Sequence, residues 1–161
     1  MKPSRSMPLV AALLAAAIPA PAVAGCLACS CSASTTNLNF GTYNPANSTP
    51  TQTTSTVTVG CFSILVLMVG TLDVGLSAGT SGTAAARTLA NGTSRLNYNI
   101  YQENARSTVW GGLSAGGLLQ TLSINGVLTY TRNITAYGSI PARQWVKPGT
   151  YSDNIVVTII Y

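Results

Sequence analysis

The sequence predicts an all-β sandwich. Short runs bearing Val, Ile and Tyr alternate with Thr, Ser and Asn, and Gly, Pro and Asn punctuate them at close intervals. No helical period of useful length is found beyond the N-terminal stretch. About seven short strands at this spacing argue for two packed sheets.

Leu38 and Phe40 alternate with Asn37 and Asn39 in a first strand that Gly41 ends. Residues 44–52, with Pro45 and Pro50, read as a loop. Val57 and Val59 between Thr56 and Thr58 give a second strand that reaches Cys61. A continuous apolar run over residues 62–68 precedes a short strand at 73–78 and a small-residue loop at 79–82. Leu96, Tyr98 and Ile100 make one alternating strand. A polar turn over 102–106 follows it, and residues 108–110 pair back. Gly111, Gly112, Gly116 and Gly117 mark a flexible connection. Residues 118–124 and 127–137 read as two strands around Asn125 and Gly126, a favoured two-residue hairpin turn.

After a loop over 138–149, residues 151–161 read as a single strand. Ile155, Val157, Ile159 and Tyr161 share one face, and Val156, Thr158 and Ile160 the other, so burial on both faces is expected. A long apolar edge is a template for strand addition. Either an earlier segment covers it or another polypeptide does.

Lys2 and Arg5 precede an apolar stretch, then Pro19, Pro21 and the small residues Ala22, Val23 and Ala24. This is the pattern of a secretory signal peptide over residues 1–24, with cleavage after Ala24 leaving a domain over residues 25–161. A competing pattern, Val23 to Cys26, is a lipoprotein box that would lipidate Cys26. Both place the chain outside the cytoplasm.

Four cysteines in an exported chain suggest disulfides, and three pairings are possible. Cys31 and Cys61 each border a predicted strand and form the natural long-range pair. Cys26 and Cys29 are left to pair across two residues or to link elsewhere. A metal site finds little support, since the chain has no histidine. No cofactor is expected.

Charge is sparse. Beyond the signal, Arg87, Arg95, Arg106, Arg132, Arg143 and Lys147 are scattered against Asp73, Glu103 and Asp153. They read as solvated surface, with no stripe for nucleic acid. Three separated acids and no imidazole argue against acid–base or nucleophilic catalysis, so no enzyme is expected. Asp153 is expected to stabilise the turn before the last strand. Tyr98, Tyr101, Trp110 and Trp145 read either as core packing or as a sugar platform.

Several blocks follow one another in order from Cys31 to the terminus. Cys31, Leu38, Phe40, Gly41 and Tyr43 match as C-x6-L-x-F-G-x-Y, followed by Val57, Val59 and Cys61, then residues 76–79. Arg87, Leu96, Tyr98, Tyr101, Trp110 and Gly111 fit a central block. Tyr137, Gly138, Pro141, Gln144, Pro148, Gly149, Tyr151 and Asp153 lead into the closing alternation. Together these blocks resemble the spore coat protein U family, the fold of archaic, Csu-type chaperone-usher pilins, and the resemblance implies an incomplete immunoglobulin-like sandwich lacking its last strand. That strand comes first from a periplasmic chaperone and then, with an outer-membrane usher, from a neighbouring pilin. The donor-strand groove it implies is lined by Leu38, Phe40, Ile155, Val157 and Ile159. The blander alternative is a stand-alone secreted or lipid-anchored coat protein at the cell surface.

Two features depart from the pattern. Only residues 25–30 precede Cys31, and Leu27 is their one large apolar residue, whereas a donor arm needs about ten alternating residues at about 3.3 Å each. The expectation is a subunit that accepts a strand and donates none, at the distal tip or as a minor component of an adhesive pilus in biofilm formation. The second departure is the apolar run over residues 62–70. It reads either as a strand buried on both faces or as an exposed loop, with Ile64, Leu65, Val66, Leu67 and Met68, that holds an abiotic or host surface.

Overall fold

The structure is a computed structural model that describes residues 29–64 and 67–161. The expected signal peptide, Cys26, Leu65 and Val66 lie outside the described residues.

Among the described residues nine strands form two sheets and a hairpin: β1 (Cys29–Thr35), β2 (Thr51–Ser63), β3 (Met68–Leu76), β4 (Thr88–Asn91), β5 (Ser94–Asn97), β6 (Asn99–Tyr101), β7 (Gln120–Gly126), β8 (Thr129–Ile140) and β9 (Val157–Ile160). One sheet has the order β1-β2-β8-β6 and the other β7-β3-β9, while β4 and β5 pair with each other. Every pairing is antiparallel. A 3-10 turn, Ala84–Ala86, lies between β3 and β4.

Period-two alternation builds the core. Val57, Val59, Cys61 and Ser63 of β2 point inward with Ile134, Ala136 and Ile140 of β8. Met68, Leu72 and Val74 of β3 face them with Leu122 and Ile124 of β7. Trp110 is fully buried, and its indole Nε1 donates to the Val74 carbonyl at 2.8 Å, so the ring packs without leaving its one donor unmet.

Several elements differ from their sequence-based expectation. Leu38 and Phe40 lie in an irregular extended segment after β1. Their alternation reflects a seat on Gly138 of β8, where an added Cβ would meet Phe40 Cζ at 2.8 Å and Leu38 Cδ2 at 2.9 Å. The stretch containing Leu96, Tyr98 and Ile100 divides into β5 and β6, because Tyr98 N donates to Arg87 O while β6 goes on to pair with β8. β7 and β8 are no hairpin, since β7 pairs with β3 and β8 with β2. Between them the chain crosses from one sheet to the other, and Leu128 takes φ +64 to make the crossing.

The final segment is also shorter and less covered than expected. Only Val157–Ile160 joins the ladder on β3, and Ser152 bridges separately to Ala90. Burial on both faces is not found. Val156 and Tyr161 are exposed, and Ile155, Val157 and Ile159 are only half-buried. The inner face opens on a cleft.

Candidate functional site: an open groove between two sheet edges

One edge strand of each sheet, β1 in the first and β9 in the second, faces the other. Among the described residues β1 pairs with β2 alone and β9 with β3 alone. Between them runs a groove. Its narrower part, a cavity of about 480 Å³, has Cys31, Ala33 and Thr35 on one side and Ile155, Val157 and Ile159 on the other. The wider part, about 970 Å³, continues between Leu38 and Phe40 on one wall and Val146, Tyr151 and Ile155 on the opposite wall. Leu76, Leu96, Tyr98 and Ile100 form its floor.

The structure therefore brings Leu38, Phe40, Ile155, Val157 and Ile159 to one cleft. Ile155, Val157 and Ile159 pack against the core from one side and meet open space on the other. Apolar side chains at alternate positions beside an unpaired ladder are what an extended peptide needs: main-chain partners along the edge and pockets every second residue. The β1 lip is tied to the core by the Cys31–Cys61 disulfide, with Cα atoms 4.1 Å apart across the β1–β2 register. Cys29 is also disulfide-bonded.

A polar network holds the root of β9. Asp153 Oδ1 accepts from Thr80 N at 3.0 Å and from Asn154 N at 2.9 Å, and Oδ2 accepts from the Tyr98 hydroxyl at 2.8 Å. Gly79 sits so close to this carboxylate, at φ +65, that a side chain there would collide with it. Ser77 exchanges two bonds with Val156, its N–H to the carbonyl and its Oγ from the N–H, both at 2.9 Å. Behind Ser77 lies Arg87, fully buried, whose Nε and Nη2 donate to the Ser77 carbonyl at 3.0 and 2.7 Å. Its Nη2 also donates to Trp110 O at 2.8 Å and Nη1 to Asn99 Oδ1 at 3.1 Å. Burial pushes the Arg87 guanidinium below its ordinary value. Burial, aided by the bond to Asp153, pushes the Tyr98 hydroxyl well above the usual phenol range.

The expectation that Arg87 is solvated surface is thus corrected, since backbone carbonyls converge on it from separate elements. Tyr98 and Trp110 are core residues, which removes them from any sugar platform, while Trp145 is exposed. Asp153 anchors the approach to β9, but its partners Thr80 and Tyr98 come from distant positions that sequence spacing gave no means of finding.

The apolar run splits by side. Ile64 is 74% exposed and Leu67 64%, with Phe62 and Val69 also on the surface. Met68, expected in the same loop, is 1% exposed: on β3 it falls on the inward face with Leu72 and Val74, and it belongs to the core. The turn from β7 to β8 joins the exposed set, because Leu128 O accepts from Ser63 N at 2.9 Å and both Val127 and Leu128 are exposed. Cys29 pairs with Ser63, so β1 begins at this same apolar pole.

A sequence model of the Spore Coat Protein U domain matches residues 18–158. The chain belongs to the Spore Coat Protein U domain family. It is similar to Protein U of Myxococcus xanthus, 32% identical over 103 residues, covering 62% of this chain and 55% of the relative. The chain thus spans just over half the length of the curated relative it matches. Among solved structures it is similar to the chaperone–tip adhesion subunit pre-assembly complex from archaic chaperone-usher Csu pili of Acinetobacter baumannii. There the TM-score is 0.54 at 20% identity, over 83% of this chain and 40% of that one. The likeness supports the fold, an immunoglobulin-like all-β sandwich, for this member of the Spore Coat Protein U domain family.

Proposed function

We propose that the chain is an exported structural subunit of a surface fibre of the chaperone-usher kind, and that the groove between β1 and β9 accepts a strand from another polypeptide. One observation carries this: two sheet edges that are unpaired among the described residues face each other across a cleft in which Ile155, Val157 and Ile159 are left half-buried at every second position. A half-buried apolar stripe beside a free ladder is completed by strand addition, which supplies backbone partners and apolar side chains at once. A periplasmic chaperone fills the groove first, and a neighbouring subunit replaces it at an outer-membrane usher. The likeness to a Csu tip adhesion subunit in complex with its chaperone supports a chaperone as the first partner. A signal peptide over residues 1–24 delivers the chain to that compartment.

Within such a fibre we place the subunit at the tip or as a minor component, working in surface attachment and biofilm formation. The support is the apolar pole formed by Ile64, Leu67, Val127 and Leu128, at the end of the sandwich where β1 begins. Exposed apolar clusters of this kind mark interaction sites. The family's description as a spore coat domain favours a second reading, a coat protein working alone at the cell surface. One experiment separates them. The chain is produced with and without a periplasmic pilus chaperone, and co-purification is followed together with amide exchange in β1 and β9. Strand acceptance predicts a stable one-to-one complex with slowed β9 exchange. A lone monomer that folds reversibly with β9 amides already protected would establish the coat-protein reading instead.

A further inference from the structure

The two walls of the groove belong to different sheets, and one side chain touches both. Tyr98 lies at the crossing from β5 to β6, 5% exposed, on the groove floor. Its ring meets the Phe40 ring edge-on, with centroids 5.9 Å apart and planes at 75°. Its hydroxyl donates to Asp153 Oδ2 at 2.8 Å. Phe40 belongs to the wall that continues β1, and Asp153 to the chain entering β9. Four ladder residues are all that hold β9 to β3, from Val157 to Ile160. A strand that short, with one edge open, is not fixed by its own ladder. What fixes it lies at its root, in the bonds to Asp153 and Val156.

We infer that Tyr98 is the positioning residue for strand acceptance: by bearing on Phe40 and holding Asp153, it sets the separation of the two groove walls before any strand arrives. The inference rests on the strand-accepting reading of the groove. An incoming strand must bridge both edges at once, so a β9 displaced from its place offers pockets and ladder at the wrong spacing. Only the fraction of molecules with β9 in place is competent, and the apparent affinity falls with that fraction. Arg87 acts one step further back, through Ser77 and its two bonds to Val156.

The test compares the purified chain with its Tyr98→Phe, Asp153→Ala and double variants. Tyr98→Phe keeps the ring against Phe40 and removes only the bond to Asp153. The probe is a fluorescein-labelled synthetic peptide of twelve residues, with Val or Ile at alternate positions between Ser and Thr, beside a scrambled peptide of the same composition. Loss of a hydrogen bond to a carboxylate is expected to weaken peptide binding about tenfold and to speed β9 amide exchange about tenfold. The double variant should be no worse than the poorer single one, because both remove the same contact. Unchanged β9 exchange in Tyr98→Phe would overturn the inference. So would faster β9 exchange with peptide affinity within about twofold, since a purely structural contact lowers stability without altering binding to molecules that remain folded. Additive losses in the double variant would overturn it as well. If the unaltered chain does not prefer the alternating peptide over the scrambled one, the strand-accepting reading fails, and β9 exchange in Tyr98→Phe still decides whether Tyr98 holds the wall.

Discussion

Replacing Arg87 by Met removes a buried cation whose partners stay where they are. Four acceptors surround the guanidinium: the carbonyls of Ser77, Trp110 and Leu76, and Asn99 Oδ1. Asn99 Oδ1 retains a second donor, the Ile100 N–H at 2.8 Å, and the Leu76 contact is long at 3.5 Å. That leaves two carbonyls without their donor, that of Trp110 in the interior and that of half-buried Ser77. At about 1–3 kcal/mol for each unsatisfied buried group the loss is about 2–6 kcal/mol. Relief of the guanidinium's own desolvation works the other way, so a net loss near the middle, about 3–4 kcal/mol, is expected. Against a domain stability of about 5–15 kcal/mol this is a large fraction. Arg87→Lys should recover only part of it, since an ammonium cannot reproduce a planar fork directed at three elements. Urea unfolding followed by tryptophan fluorescence measures the difference, with Arg95→Met, an exposed arginine, as control. The control should move stability by no more than about 0.5 kcal/mol. If Arg87→Met and Arg95→Met unfold within about 0.5 kcal/mol of each other, the carbonyl cage is not what stabilises this corner.

Three further outcomes are expected. Replacing Cys31 and Cys61 together by Ala opens a loop with a sequence separation of 30 and should cost about 3–4 kcal/mol in urea unfolding, a loss under about 1 kcal/mol counting against the estimate. Tyr98 titrates above its unfolded value, so its contribution is fully present below a pH of about 10 and is lost as the pH rises toward the folded value, with a slope of about 1.4 kcal/mol per pH unit. Tyr98→Phe should flatten that alkaline limb, and an identical limb in both proteins would assign it to other groups. Ile64→Ser with Leu67→Ser should reduce adsorption to a hydrophobic surface and leave the unfolding midpoint in place, because both side chains are already in water. A collapse in soluble yield would show instead that the pair is packed.

Alternation made the core strands legible. Val57, Val59 and Cys61 lie inward on β2 where period two puts them, and the closing run supplies an edge strand with Ile155, Val157 and Ile159 on one side. Alternation reports a face, however, and not a ladder. Leu38 and Phe40 show a face packed on Gly138 of β8 although their own segment joins no ladder, and the expected Asn125–Gly126 turn falls inside β7 instead, with the chain turning at residues 127 and 128 to enter the other sheet. The apolar run was ambiguous for the same reason, since hydrophobicity alone does not say where the sheets end. Met68 falls within them, whereas Ile64 and Leu67 fall beyond. Least legible was Arg87, because its environment is made of backbone carbonyls, and a composition of scattered charges carries no trace of them.

These polar positions and the open groove belong to one problem. A sandwich with a half-covered apolar floor gains by closing on itself, because each apolar side chain taken from water contributes about 25 cal/mol per Å² buried. Collapse of β9 toward β1 would bury Ile155, Val157 and Ile159 against Ala33 and Thr35. It would also break the Asp153 bonds to Tyr98 and Thr80 and the paired bonds between Ser77 and Val156. Dispersion and burial are indifferent to direction, whereas hydrogen bonds weaken steeply with misalignment. Directional bonds at the root of β9 therefore oppose a non-directional pull across the groove. This accounts for the concentration of polar contacts at the root of β9, an edge strand that pairs with β3 alone among the described residues, and it makes the open cleft a held conformation of the fold.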